Sequence, residues 1–118
     1  MSGTSLRRGD AVLVPFPFAD LSGQKLRPAI IISADPQSKE IILSFITSVM
    51  SNRSPRGADV QLLQSDAEFT ASGLKVDSLV RLDKLVTLDR NSAKRRLGAI
   101  GPTAMAKVAA ALRTALAL

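Results

Sequence analysis

The chain has 118 residues, with sixteen Lys and Arg against ten Asp and Glu, a formal charge of +6, and neither cysteine nor histidine. The length is that of one domain, so we read 1–118 as a single unit; without cysteine there are no disulfides, thiolate nucleophiles or Cys-ligated metals, as in a reducing cytoplasm. Without histidine the usual general base near neutral pH and the commonest metal ligand are gone, while the positive balance favours polyanions such as nucleic acid.

The first residues lack the apolar core of a signal peptide, and no segment approaches the length of a membrane span, which predicts a cytoplasmic protein with no membrane partner. After Arg7 and Arg8, "DAVLVPFPF" sets Val12, Val14 and Phe16 against Ala11, Leu13 and Pro15, the period-2 pattern of a strand ending near Pro15 and Pro17. The turn "ADLSGQK" leads to "RPAIIIS", where Ile30, Ile31 and Ile32 favour a second strand with Pro28 at its first position. A turn at "PQSKE" precedes "IILSFITSV", so three consecutive strands with short connections predict an antiparallel meander.

"MSNRSPRG", carrying Arg53 and Arg56, is too rich in turn residues to be regular, and "ADVQLLQ" after it reads as a fourth strand. "SDAEFTASGLKVDS" reads as a short helical turn and loop, followed by strands in "LVRLDKLVTLD" and "KRRLGAIG". In the tail, Pro102 suits a first helical turn, and Met105, Val108, Leu112 and Leu116 recur at helical spacing opposite Lys107 and Thr114. The expected fold is therefore mainly β with α: a small, strongly curved antiparallel sheet or barrel with a C-terminal helix covering part of it.

Taken in order, "RRGDAVLVPFPF", a Gly-containing turn, "LRPAIIIS", "FITS", "SGLKVDSLVRLDKLVTLD" and the terminal helix closely resemble the MazF/PemK family of bacterial toxins. The resemblance runs from about Arg8 to the final helix, and its specific elements are Arg8 to Asp10, the Arg27-Pro28 pair, Thr47-Ser48 and "DSLVRLDKLVTLD". It implies an SH3-like antiparallel barrel of five to seven strands with a C-terminal helix. It also implies a homodimer that cuts single-stranded RNA at short sequences without metal or other cofactor, held inactive by a cognate antitoxin. Arg27 and Thr47 fall on the family's catalytic arginine and threonine, and Asp83 and Lys84 on positions that line the RNA groove. The loop with Ser22, Gln24 and Lys25 falls on a segment used for RNA readout, although it is shorter than in many relatives and lacks their acidic residue.

The chemistry suits these residues. RNA carries its own nucleophile, the 2′-hydroxyl beside the scissile phosphorus, so a protein need only orient it and stabilise charge. A guanidinium matches two phosphate oxygens without changing its protonation state, which makes Arg27 a phosphate stabiliser, or an acid toward the leaving oxygen, rather than a general base. The Thr47 hydroxyl can donate to a phosphoryl oxygen. Ser48, its neighbour, would point to the opposite face of a regular strand, so only one of the two can share a face with Arg27.

The bland alternatives are an Arg27 paired with a surface carboxylate such as Asp20 and a Thr47 that is an ordinary β-branched strand residue. Arg53, Arg56, Lys25 and the run Lys94-Arg95-Arg96 are candidate phosphate contacts, of which Arg53 and Lys25 stand first, against a background of solvated surface cations. Asp66, Glu68, Asp77, Asp83 and Asp89 could in principle hold a hard metal, but loop polarity and strand pairing explain them better. With no Trp or Tyr, base stacking falls to four phenylalanines, of which Phe18 is expected at the surface and Phe16 and Phe45 in the core. A barrel that binds nucleic acid without cutting it, or that inhibits another protein such as a topoisomerase, is the alternative function.

Overall fold

The computed structural model describes residues 5–15, 25–48 and 56–118. Strands β1 (Asp10–Pro15), β2 (Leu26–Ser33), β3 (Glu40–Ser48) and β4 (Asp59–Leu62) are followed by a single helical turn, α1 (Phe69–Ser72). Then come the long β5 (Ser78–Asp89), a 3-10 turn (Arg90–Ser92), β6 (Arg95–Ala99) and the terminal helix α2 (Pro102–Leu116). All the strands join one curled antiparallel sheet of six, in the order β4-β5-β3-β2-β1-β6.

The meander of β1, β2 and β3 is as expected; the remainder of the order follows from length. β5, at twelve residues, is long enough to run along the whole of β3, from Glu40 opposite Asp89 to Ser48 opposite Ser78. The four-residue β4 is then left to pair with the first part of β5, Ser78 to Arg81. Between the pairs Ser44–Leu85 and Ile46–Val80, β3 advances two residues and β5 five, so β5 bulges at Arg81 to Lys84. A bulge bends its strand and raises the local twist. The Ser44 hydroxyl is buried there and donates to the Arg81 carbonyl at 2.6 Å.

The triple isoleucine acquires its meaning from the two faces of this sheet. Ala11, Ile30, Ile32, Ile46, Val80 and Leu82 pack beneath Val108 and Ala111 of α2, whereas Val12, Val14, Ala29, Ile31, Ile41 and Leu43 form a second cluster. Ile30, Ile31 and Ile32 are all buried because both faces are covered, which turns the usual alternation into a continuous apolar run. β2 begins at Leu26, so Pro28 is its third residue rather than its first.

On α2 the inward face is Val108 and Ala111, joined by Ala104, Met105, Leu112 and Ala115. Leu116, expected on that stripe, is 50% exposed. Alanines at 104, 111 and 115 let the helix lie close to the sheet, and the stripe passes through Ala115 instead. Gly101, at the N-cap, has no side chain to receive the first amides. Glu68 supplies one from the segment before α1: its carboxylate accepts from the Thr103 and Ala104 amides, each at 3.2 Å, and its charge suits the positive end of the helix. Glu68→Ala is expected to cost about 1 kcal/mol in urea unfolding, in the range of other lost N-caps. Glu68→Gln, which keeps one acceptor, should cost less.

The opening Arg8-Gly9-Asp10 is also structural. Gly9 has φ of 95°, and Asp10, 3% exposed, accepts from the Arg7 amide at 2.9 Å and pairs with Arg96 Nη2 at 3.3 Å. At the β2–β3 turn, Arg90 donates to the carbonyls of Asp35 at 2.8 Å and Ser38 at 3.2 Å. These two arginines are committed to holding the fold. Among the described residues no helix is long and apolar enough to cross a membrane.

Candidate nucleic-acid site

Antiparallel pairing brings the C-terminal ends of β1 and β3 to the same end of the sheet as the N-terminal ends of β2, β5 and β6. A cavity of about 900 Å³ opens there. It is lined by Leu13, by Arg27 and Pro28, by Phe45 to Ser48, by the α1–β5 connection Gly73 to Val76 with Ser78, and by Arg95 and Leu97.

The strand register puts two of these on one face. The β2–β3 ladder ends at Ala29 opposite Phe45, and Arg27 and Thr47 lie two residues beyond that pair on their strands, both bordering the cavity. Directly opposed residues share a face, so Arg27 and Thr47 follow Ala29 and Phe45, whereas Pro28, Ile46 and Ser48 follow the other face. Both sets border the cavity because it lies where the strands end. Arg27 is exposed and Thr47 half-buried, the hydroxyl of Thr47 donating to the Ser48 carbonyl at 3.0 Å. A hydroxyl rotates freely enough to exchange that acceptor for a phosphoryl oxygen.

The charge of the lining is one-sided. Arg27, Lys75 and Arg95 are cationic, and no described lining residue carries a carboxylate. Single-sign charge in a concavity focuses the field and attracts ions of the opposite sign. The remaining walls, from Leu13, Pro28, Phe45, Leu74, Val76 and Leu97, are apolar. Among the described residues no group of three or more acidic side chains is placed to hold a metal ion.

Lys25 is exposed immediately before β2 and is not part of the lining. Asp83 and Lys84 are exposed on the bulge of β5 and do not line the cavity, with Asp83 Oδ1 at 3.9 Å from Arg81 Nε. Ser22, Gln24 and Arg53, like Phe16, Phe18 and Asp20, lie outside the described residues. Phe45 is half-buried, packing against the second cluster while it borders the cavity, so it is both core and wall.

Lys75 belongs to the cavity but was not singled out by sequence, and Arg95 was named only within the run Lys94-Arg95-Arg96. Arg95 was one of three adjacent cations, and neighbouring strand residues face opposite ways. Arg96 takes the side of Asp10, and Arg95, opposite Leu13, takes the other. That alternation was available in the sequence, but which of the pair enters a site depends on β6 lying beside β1, a non-local fact.

Fold and cavity together define a curled antiparallel β protein with a cationic cleft at one end of its sheet. The chain belongs to the PemK-like, MazF-like toxins of type II toxin-antitoxin systems, whose family model matches residues 7–116. Among solved structures it is similar to an endoribonuclease from a mycobacterial species, in complex with its cognate antitoxin, at 23% identity and a TM-score of 0.73, with 94% of each chain covered. It is also similar to the Mycobacterium tuberculosis toxin MazF-mt6, at 18% identity and a TM-score of 0.70 over 92% of this chain and 97% of that one. A third likeness is to the MazE-MazF complex of Deinococcus radiodurans, at 20% identity and a TM-score of 0.71 over 98% and 99%. No curated protein matches by sequence.

Proposed function

We propose that this toxin is a sequence-specific endoribonuclease that cuts single-stranded RNA in the cytoplasm, and that a cognate antitoxin neutralises it. The observation that carries the reading is the cavity in which Arg27 and Thr47 share a face, among cations and without a carboxylate. Family membership and the fold shared with an endoribonuclease support it.

In the reaction, the RNA 2′-oxygen attacks the adjacent phosphorus, the bond from phosphorus to the 5′-oxygen breaks, and the products are a 2′,3′-cyclic phosphate and a 5′-hydroxyl. The proton lost by the 2′-hydroxyl is balanced by the one gained at the leaving oxygen. Negative charge builds on the non-bridging oxygens in between, where the planar donors of Arg27 can engage two of them at once. Thr47 adds a hydrogen bond to a charged oxygen, worth about 1.5–3 kcal/mol when the acceptor is ionised. The protein's contribution is placement and charge, since the nucleophile belongs to the substrate.

The test is to incubate the purified chain with a long single-stranded RNA in EDTA and map the ends. Reproducible cuts at one short motif, with cyclic phosphate and 5′-hydroxyl termini, are expected, and a 2′-O-methyl group at the cut position should abolish them. Cleavage of the corresponding DNA, or strict dependence on an added divalent metal, would refute the mechanism. A homodimer and the antitoxin partner are part of the same reading, checked by sedimentation and by co-expression with any small acidic protein encoded just upstream.

A further inference from the structure

The cavity is larger than one phosphate requires, and part of its wall comes from outside the β2–β3 pair that carries Arg27 and Thr47. That part is the connection Gly73 to Val76 together with Arg95 and Leu97. Its backbone is held from several directions. The Gly73 amide donates to the Thr70 carbonyl at 3.2 Å, and the Ser72 hydroxyl donates to the Phe69 carbonyl at 2.6 Å while accepting from the Leu74 amide at 3.2 Å. The Ser78 hydroxyl donates to the Val76 carbonyl at 2.7 Å, and the Asp77 carboxylate accepts from the Gln64 amide at 2.7 Å. Gly73, at φ of 76°, lies so close to Leu97 that a Cβ there would run into its carbonyl.

This rigid segment nevertheless turns Lys75 and Val76 outward, Val76 with 53% of its surface exposed. An apolar side chain held in the open beside a cation, in the same lining as Arg95, is a surface prepared for a ligand that is both flat and anionic. Preorganisation of this kind lowers the ordering cost of binding. Arg95 stands opposite Leu13 on β1 and Arg27 opposite Val14, so their backbones are separated by two strand spacings, about 10 Å, and their side chains leave opposite faces of the sheet at the end where both border the cavity. Phosphates one or two nucleotides apart on an extended strand span a comparable distance.

Resting on the RNA reading above, we propose that the Gly73–Val76 segment and Arg95 form a second nucleotide subsite next to the scissile phosphate. Arg95 and Lys75 engage the flanking phosphates, and Leu74 and Val76 present an apolar wall to the neighbouring base. This wall contributes to the choice of cut sequence. Single-stranded RNA fits it better than an acidic peptide because the apolar surface lies between cations, as bases lie between phosphates.

The experiment measures binding of an RNA made uncleavable by 2′-O-methylation at the cut site, and cleavage of the unmodified RNA, for the wild type, Lys75→Ala, Arg95→Gln, Lys75→Glu and Val76→Asn. Lys75→Ala and Arg95→Gln should each weaken binding about 5- to 10-fold, mostly as a rise in KM. Each should also reduce the slope of log affinity against log salt by about 0.7, the single-strand value for one phosphate contact. Lys75→Glu should weaken binding further, and Val76→Asn should alter the base preference in mapped cut sites at unchanged salt slope. Matching thermal melts keep a folding defect apart from a binding defect. Unchanged affinity, salt slope and cut motif in all four variants would overturn the subsite while leaving the nuclease reading intact. A wild type that neither cuts nor binds RNA would instead remove the reading on which the subsite rests.

Discussion

Arg27→Ala is expected to lower RNA cleavage about 10²- to 10³-fold while leaving the fold in place. That range is typical for removal of one preorganised donor to a developing oxyanion. Arg27 is exposed at the second position of β2, and both apolar clusters are built without it, so loss of its side chain empties no core. Arg27→Lys should recover only part of the rate, because an ammonium is a point charge and does not match two phosphate oxygens in one plane. The measurement is single-turnover cleavage alongside a thermal melt. Full activity in a folded Arg27→Ala protein would remove Arg27 from the mechanism.

The largest effect on stability is expected at Gly73. Alanine there meets two separate obstacles: the left-handed conformation at φ of 76°, which costs about 1–3 kcal/mol for a residue with a Cβ, and the Leu97 carbonyl in the space that Cβ would occupy. Together these predict a loss of about 3 kcal/mol or more, read as a lower urea midpoint and a fall in Tm of roughly 10 °C. Gly98 faces the same restriction from the other side, since its missing Cβ leaves room for the Ala71 carbonyl. Gly98→Ala should therefore also destabilise. An unchanged midpoint in both variants would mean that α1 does not lie against β6 in solution.

Much of the fold was legible because local patterns and global packing agree in this chain. Alternation in "DAVLVP", the β-branched residues of β2 and the apolar face of the terminal helix each named their own element. The strand order was not legible beyond the meander. That β5 would pass between β3 and β4, and β6 join β1, depends on pairing between segments distant in sequence, to which periodicity is blind. The same limit applied to the site. Arg27 and Thr47 were reached through the family resemblance, and the register of β2 on β3 puts them on one face of the sheet, at the cavity both border. Lys75 was passed over because a lone lysine in a polar loop looks like any solvated cation. Its position in the cavity comes from α1 being pressed against β6 by two glycines far apart in the chain.

The way the α1–β5 connection is held has a consequence for how this protein can vary. Its conformation is fixed by Gly73, Ser72, Asp77 and Ser78 and by backbone amides, and the side chains of Lys75 and Val76 take no part in those hydrogen bonds. The positions that hold the rim in shape are thus different from the positions that the rim displays. Change at the displayed positions is expected to leave the fold intact, while change at the holding positions is expected to destabilise it. A lineage of such chains can drift in what its rim offers to a partner without first losing the scaffold that offers it.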